Sequence, residues 1–199
     1  MRQFIIFGHE TPTDPSFSLD DLAGGAGRLD VLCRCVNSAV FLSHGMREDT
    51  KIQLVLSDTY RVEFDGKQLQ YLHPDERTIA SRIKNALENA DMAIGHQPAE
   101  PSPGVKLYRM DTRSTVEAVA EQSAVIQLHE SGTPITDVDM PQSSAFVLSD
   151  HQRFTTEEQE ILDEVVEEKI SVGPKAIHAN HAITVVHNYL DTERYRQYE

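Results

Sequence analysis

The chain has 199 residues, 39% hydrophobic and 25% charged, with a formal net charge of -14. That length and balance can bury a core of its own and exclude a disordered polymer. No apolar run reaches the roughly 20 residues of a membrane-spanning helix, and the acidic excess excludes a protein that coats nucleic acid by bulk charge, because phosphate neutralisation needs clustered Lys and Arg.

"QFIIFG" is a short β-rich run ending at Gly8 and His9, too short to act as a signal peptide, so a cytoplasmic protein is expected. In "AGRLDVLCRCVNSAVFLSHGM", Leu29, Leu32, Cys33, Val36 and Val40 recur at helical spacing, and "KIQLVLSD" is the next strand. Cys33 and Cys35 are two apart, a spacing that favours neither a disulfide nor a metal site without further ligands, so both read as free thiols inside the fold. "YRVEFDGKQLQYL" alternates around Asp65-Gly66 and predicts a hairpin there. "HPDERTIASRIKNALENA" predicts a helix with Pro74 in its first turn and Ile79, Ile83 and Leu87 on one face. "HQPAEPSPG", His96–Gly104, holds three prolines and reads as a loop dividing the chain into halves, 1–95 and 105–199, of a single domain.

The second half alternates again: "VKLYRM", a helical "STVEAVAEQ", the strands "AVIQLHESG" and "SAFVLSDH", an acidic helix in "TTEEQEILDEVVEEK", the strand "KISVG" and a final helix. Thr155 and Glu158 fit a capping box at the start of the acidic helix, whose charges read as a solvated face. Strands alternating with helices predict an α/β fold with a mainly parallel sheet flanked by helices. In such sheets ligands bind beyond the carboxyl ends of the strands. Three loops, in "LHESG", "LSDHQRF" and "VGPKAIHANH", are placed to converge there and to take a nucleoside-like ligand.

Neither the dinucleotide fingerprint nor the phosphate-binding glycine loop is present. Ser149-Asp150-His151 contains the residue types of a hydrolytic triad, but sequence neighbours do not form one in space, and no nucleophile elbow accompanies them. His178, His181 and His187 share a helical segment without the further ligands that zinc requires, so they read as pocket and packing groups and no metal is expected.

"FVLSDHQRFTTEEQEIL" followed by "KISVGPKAIHANHAITVVHNYLD", together with "GRLDVLCRCVNSAVFLSHGMREDT" in the first half, resembles the TrmY-type methyltransferases of the SPOUT superfamily over nearly the whole chain. The resemblance implies an S-adenosylmethionine-dependent enzyme that methylates N1 of pseudouridine in tRNA, at position 54 of the T-loop. It also implies a C-terminal deep trefoil knot, an exception to the rule of unknotted chains, and an obligate homodimer. Residues 105–199 would form the knotted cofactor region, and 1–95 would lie on the substrate side.

The cofactor loops map to Leu128–Gly132, Leu148–His151 and Val172–Ala182. The binding residues so implied are Leu128, His129, Gly132, Leu148, Ser149, Asp150, Val172, Gly173, Pro174, Ile177 and Ala182. Val172-Gly173-Pro174 would turn the chain beside the adenosine, so that a bulky residue at 173 blocks the pocket or strains the turn. Ser149 stands where the family usually has glycine, and Ala182 where it usually has cysteine. Serine still offers its backbone amide, and alanine leaves more room.

Methyl transfer from a sulfonium is an in-line displacement in which the enzyme mainly holds the reactants in place. Pseudouridine N1 becomes a nucleophile only as its proton is lost or shared. A carboxylate can take that proton, and an arginine can hold the carbonyl oxygens. Asp30, with Arg28 and Arg47, lies in the matching N-terminal segments and forms the candidate catalytic set. The bland reading of Arg28–Asp30 is a helix start with an acidic cap. Arg2, Arg82 and Lys84 are candidates for a basic rim toward RNA. Two other readings stay open at this point: a knotted S-adenosylmethionine- or nucleoside-binding protein without catalysis, and a methyltransferase acting on a different RNA. The apolar stripe Ile183, Val186, Leu190 on the last helix needs a cover, which a second copy would provide.

Overall fold

The structure is a computed structural model that describes Met1–Tyr198. In chain order the elements are β1 (Arg2–Gly8), α1 (Leu29–Val40), β2 (Thr50–Leu56), β3 (Tyr60–Asp65), α2 (Glu76–Glu88), β4 (Ala99–Ser102), β5 (Val105–Tyr108), α3 (Thr112–Ala120), β6 (Ala124–Pro134), β7 (Ser144–Ser149), α4 (Thr156–Val165), β8 (Glu168–Ser171) and α5 (Ala179–Asp191), with single 3-10 turns at Ala90–Met92 and Ile135–Asp137. One eight-stranded sheet runs β4-β5-β3-β2-β1-β7-β6-β8. From β2 to β8 every pairing is parallel, and β3, β5 and β4 extend the other edge in antiparallel fashion.

Strand alternation sorts the core into two layers. Phe4 and Ile6 of β1 and Phe146 and Leu148 of β7 face one side, where they pack with α1, α2 and α5. Ile5, Phe7, Ala145 and Val147 face the other, against Val116 and Val119 of α3 and Leu162 of α4. Both central strands are covered on both faces, which is why they read as unbroken apolar runs. Helix α1 is buried on more than one face, because it packs on the sheet and also against α2 and α5. For that reason Cys33 and Cys35 are both free and fully buried although they point different ways on the helix.

Some local expectations fail for identifiable reasons. The hairpin turns at Ser57-Asp58, not at Asp65-Gly66: β2 and β3 pair from Leu56↔Tyr60 to Lys51↔Asp65. Ser57 and Asp58 have φ of 42° and 52°, left-handed angles that turn the chain inside the three-residue loop Ser57–Thr59, where the Thr59 amide bonds the Leu56 carbonyl. Gly66 instead ends β3, with its Cα so close to the Arg47 carbonyl that a Cβ would lie 2.0 Å from that oxygen. Pro74 stands one residue before the cap of α2, which is Asp75, accepting from the Thr78 amide at 2.7 Å. The proline-rich segment forms the edge strand β4, and Pro101 is tolerated because an edge strand has a side that needs no amide donor. The stripe of α5 is covered within the chain, since Ile183 and Val186 are fully buried in the layer that contains α1. The capping box of α4 forms as expected, Thr155 bonding the Glu158 amide and Glu158 the Thr155 amide.

Candidate cofactor and substrate site

Strand β6 does not run straight through. Ile126–Leu128 pair with Glu168–Ile170 of β8, and the pairing resumes only at Thr133↔Ile170 and Pro134↔Ser171. Residues 129–132 are therefore looped out at the end of the first paired stretch. Gly132 makes this possible, because a Cβ there would lie 2.6 Å from backbone atoms of Lys169 and Ile170. In the loop, His129 Nδ1 accepts from the Ser131 amide at 3.1 Å.

The second loop leaves β7. Ser149 Oγ donates to the Gln152 carbonyl at 2.6 Å, so the side chain that distinguishes this position from a glycine is bonded within its own loop. Asp150 Oδ1 accepts from the Gln152 amide at 2.8 Å, tightening the same turn. The third loop follows β8 and leads into α5, where the carbonyl of His178 accepts from the amides of His181 and Ala182.

These loops enclose a cavity of about 620 Å³, within the range of sites that hold nucleotide-sized ligands. Of the residues implied by the sequence, Leu128, His129, Leu148, Ser149, Asp150, Val172, Gly173, Ile177 and Ala182 line it. Gly132 and Pro174 do not. Gly132 serves the loop's path, and a Cβ on Gly173 would meet nothing within 4 Å, so the expected strain at 173 has no basis in the backbone. The wall also includes Glu130, Gln152, Arg153, Phe154, Gln159, Ile170 and Lys175, which residue-by-residue reading did not single out, and His178, one of the histidines read as a pocket group. Lys175 and His178 fall inside the expected loops. Arg153 and Phe154 lie past Leu148–His151, the stretch mapped from the family, but within the run "LSDHQRF" expected to converge on the ligand.

Helix α1 runs antiparallel to β1. Its first turn lies beside the carboxyl end of β1, with Leu32 next to Gly8, and its last turn lies beside the amino end, where Ala39 O meets His187. Asp30 is buried in the first turn. It receives Arg28 through Nε at 3.0 Å and Nη2 at 3.2 Å, and Arg34 through Nη1 at 2.8 Å. Burial works against its ionisation, but the hydrogen bonds from Arg28 and Arg34 outweigh that and hold the carboxyl below the usual range. Arg28 itself sits in a left-handed conformation at φ 62° with its guanidinium half-exposed. Hydrogen bonding to Asp30 raises its pKa, and the charge of Asp150 on the cofactor loop adds to this.

Arg47 does not join this pair within a chain. Its amide bonds the Val40 carbonyl beyond the end of α1, about 15 Å of helix rise from Asp30, and its guanidinium grips both oxygens of Asp191 at 3.1 and 2.6 Å. Arg2 shares Asp191 at 2.6 Å, which also removes it from a rim with Arg82 and Lys84. Arg82 donates to the Tyr71 carbonyl and Lys84 to that of Phe17. Between the guanidinium of Arg2 and the Ala39 carbonyl, at 3.1 and 3.0 Å, the tautomer of His187 is fixed: Nδ1 can only accept and Nε2 can only donate. Burial, reinforced by Arg47 and Arg2, lowers its pKa from 6.5 to about 3. His178 and His181 lie edge to face at 5.9 Å. Among the described residues no three His, Cys, Asp or Glu side chains converge as a metal would need.

Comparison with known proteins agrees with this geometry. A family model described as SAM-dependent RNA methyltransferase matches residues 1–195. The chain is 56% identical over 198 residues to the tRNA (pseudouridine(54)-N(1))-methyltransferase of Haloferax volcanii and 56% to that of Haloarcula marismortui, covering all of both chains in each case. It is 40% identical to the enzyme of the same name from Methanocella arvoryzae, over 94% of this chain and 96% of that one. Its fold is similar to that of Archaeoglobus fulgidus Nep1 bound to S-adenosylhomocysteine, with a TM-score of 0.65 at 12% identity, covering 98% of this chain and 99% of that one. With a match along nearly its whole length, a shared fold and a nucleotide-sized cavity at the carboxyl ends of three parallel strands, the chain belongs to the family of SAM-dependent RNA methyltransferases.

Proposed function

We propose that this protein methylates N1 of pseudouridine in tRNA, at position 54 as its relatives' names state, using S-adenosylmethionine held in the cavity between the three loops. The observation that carries the reading is the convergence of those loops on one cavity in a chain of this family. The residues present suit the cofactor: Leu128, Leu148, Ile170, Val172 and Ala182 offer an apolar slot for a purine, and Arg153, Lys175 and Glu130 offer opposite charges to a zwitterionic amino-acid end. S-adenosylmethionine supplies an electrophilic methyl group on a sulfonium.

The remaining work falls to the chain's own side chains. Arg28, pinned through Nε and Nη2, keeps Nη1 for the carbonyl oxygens of the pyrimidine, where negative charge grows as N1 loses its proton. Asp30 is ionised between two arginines, so it holds Arg28 in place, accepts the hydrogen bond from N1–H and takes that proton as the N1–methyl bond forms and the sulfonium–methyl bond breaks. Arg47 acts elsewhere, in the cluster around Asp191. In this reading 105–199 carries the knotted cofactor region, 1–95 the substrate side, and the active form is a cytoplasmic homodimer. The knot and the dimer rest on the family likeness, since α5 already finds its cover inside the chain.

The test is transfer of a labelled methyl group to a tRNA carrying pseudouridine at position 54 and to the same tRNA with uridine there, read by nucleoside mass spectrometry. Methylated pseudouridine is expected only from the first. Asp30→Asn is expected to keep cofactor affinity while lowering turnover. S-adenosylmethionine should raise the melting temperature, because it binds only the native chain. No product from either RNA, and no thermal shift at millimolar cofactor, would refute the reading.

A further inference from the structure

His9 follows β1 and stands between two carboxylates from different parts of the chain. Its Nδ1 lies 2.9 Å from Asp150 Oδ1, and its Nε2 lies 2.9 Å from Glu158 Oε2. A neutral imidazole has one donor nitrogen and one acceptor, so a neutral ring would leave a lone pair facing a carboxylate at 2.9 Å. Only the imidazolium donates to both. The amide of His9 adds a third bond, to Asp150 Oδ2 at 3.0 Å. The two partners are not idle surface groups. Asp150 also accepts the Gln152 amide and so shapes the second cavity loop, and Glu158 accepts the Thr155 amide at 2.7 Å in the capping box of α4. The carboxylate side chain of Asp150 is fully buried, and the His9 ring is nearly so.

We propose that His9 is a positioning residue of the methyltransferase: as an imidazolium it latches the Ser149–Phe154 loop to the end of β1 and to the start of α4, and thereby holds that loop in its cofactor-binding shape. His9 does not line the cofactor cavity, whereas Ser149, Asp150, Gln152, Arg153 and Phe154 do, so it acts on the cofactor only through them. The charge is consistent with the surroundings. Hydrogen bonds to Asp150 and then Glu158 outweigh burial and raise the pKa of His9 from 6.5 to about 10. The other ionisable groups near it are Asp58 and Glu157, which line the same small crevice, His151 at 3.5 Å from Asp150, and Arg28, whose charge Asp150 feels. What the loop binds rests on the proposed function. The latch itself rests on geometry alone.

Three measurements decide it. The ring nitrogens of His9 in the wild-type protein, followed by nitrogen NMR, are expected to be both protonated at pH 8 and to titrate near 10, with Glu158→Gln moving that midpoint down. Amide exchange without cofactor is expected to accelerate in His9→Gln at Asp150–Phe154, with the rest of the sheet unchanged. In His9→Gln the KM for S-adenosylmethionine is expected to rise about tenfold, the scale of one lost charge-assisted hydrogen bond, while kcat at saturating cofactor stays within about twofold. A His9 that titrates near 6.5, or a His9→Gln variant with wild-type amide exchange in that loop, overturns the proposal. A wild-type protein that never binds S-adenosylmethionine overturns the cofactor reading instead, and the NMR and exchange measurements still decide the latch.

Discussion

Gly132 and Gly173 look alike in the sequence, since each ends a short strand segment in a candidate cofactor loop. In space they differ. A Cβ at 132 would press on the β8 backbone at 2.6 Å, which cannot withdraw without breaking its pairing, whereas one at 173 meets nothing within 4 Å. Gly132→Ala is therefore expected to cost about 1–3 kcal/mol and to weaken cofactor binding, as overpacking does. Gly173→Ala is expected to stay within about 0.5 kcal/mol of wild type, as surface changes do. Urea unfolding of the two variants checks this, and the reverse order would mean that the loops are misplaced. The cysteines give a second residue-scale test. Burial pushes the Cys35 thiol up to about 12 and that of Cys33 higher still, so neither forms the thiolate that reacts. Both should resist alkylation in the native protein and react only on unfolding; stoichiometric labelling of the native chain would contradict their burial. Periodicity reached the thiols and family likeness reached most of the cavity wall, because both are local patterns. His9 was missed because its partners, Asp150 and Glu158, lie some 140 and 150 positions away, and no pattern within β1 announces them.

At the scale of elements, the sequence shows strands and helices far better than it shows turns. Alternation and helical spacing located the strands and the long helices, since each repeats a signal many times. The hairpin depended on two residues, and the usual Asp-Gly signal pointed to the wrong pair. Ser57-Asp58 adopts left-handed angles without glycine because its side chains are bonded elsewhere. Ser57 Oγ shares its single proton between the carbonyls of His9 and Thr11, at 2.9 and 2.7 Å, and Asp58 Oδ1 accepts the Thr112 amide at the start of α3 at 2.8 Å. Those bonds offset the strain of a positive φ and tie the turn to two other elements. Asp58→Ala is expected to lose about 1–2 kcal/mol, since it removes a helix-start acceptor and keeps the strain. Asp58→Gly should lose less, because glycine relieves the angle while forfeiting the same bond. Thermal unfolding distinguishes these contributions: an alanine variant as stable as wild type would show that the side-chain bond does not sustain the turn, and one more stable than the glycine variant would show that the positive φ carries no strain.

For the whole molecule, sheet order is the feature least legible in the sequence, because it is set by pairings between distant strands. Alternating elements imply a mainly parallel sheet but not that β1 lies between β2 and β7, nor that β3, β5 and β4 extend one edge. That order places His9 at the cavity end of β1 and buries His187 near its other end, and the two respond to pH in opposite senses. The pKa of His187 is depressed from 6.5 to about 3 by burial and the nearby arginines, so its contribution to stability is complete above pH 6.5 and is lost as the pH falls toward 3. The pKa of His9 is raised from 6.5 to about 10, so its contribution is complete below pH 6.5 and is lost as the pH rises toward 10. The carboxylates of Asp150 and Glu158, held below 3.8 and 4.5 by His9 against burial, add their loss only at the acid end. Together these terms place a stability maximum near pH 6.5, with each histidine contributing a slope of at most one proton, about 1.4 kcal/mol per pH unit. Denaturant midpoints from pH 4 to 10 should trace that peak. His9→Gln should flatten the alkaline limb, because a glutamine has no proton to lose, while the acid limb keeps the His187 contribution and loses the part that Asp150 and Glu158 owe to His9. An alkaline limb of unchanged slope in that variant would show that the loss above neutrality arises from other groups.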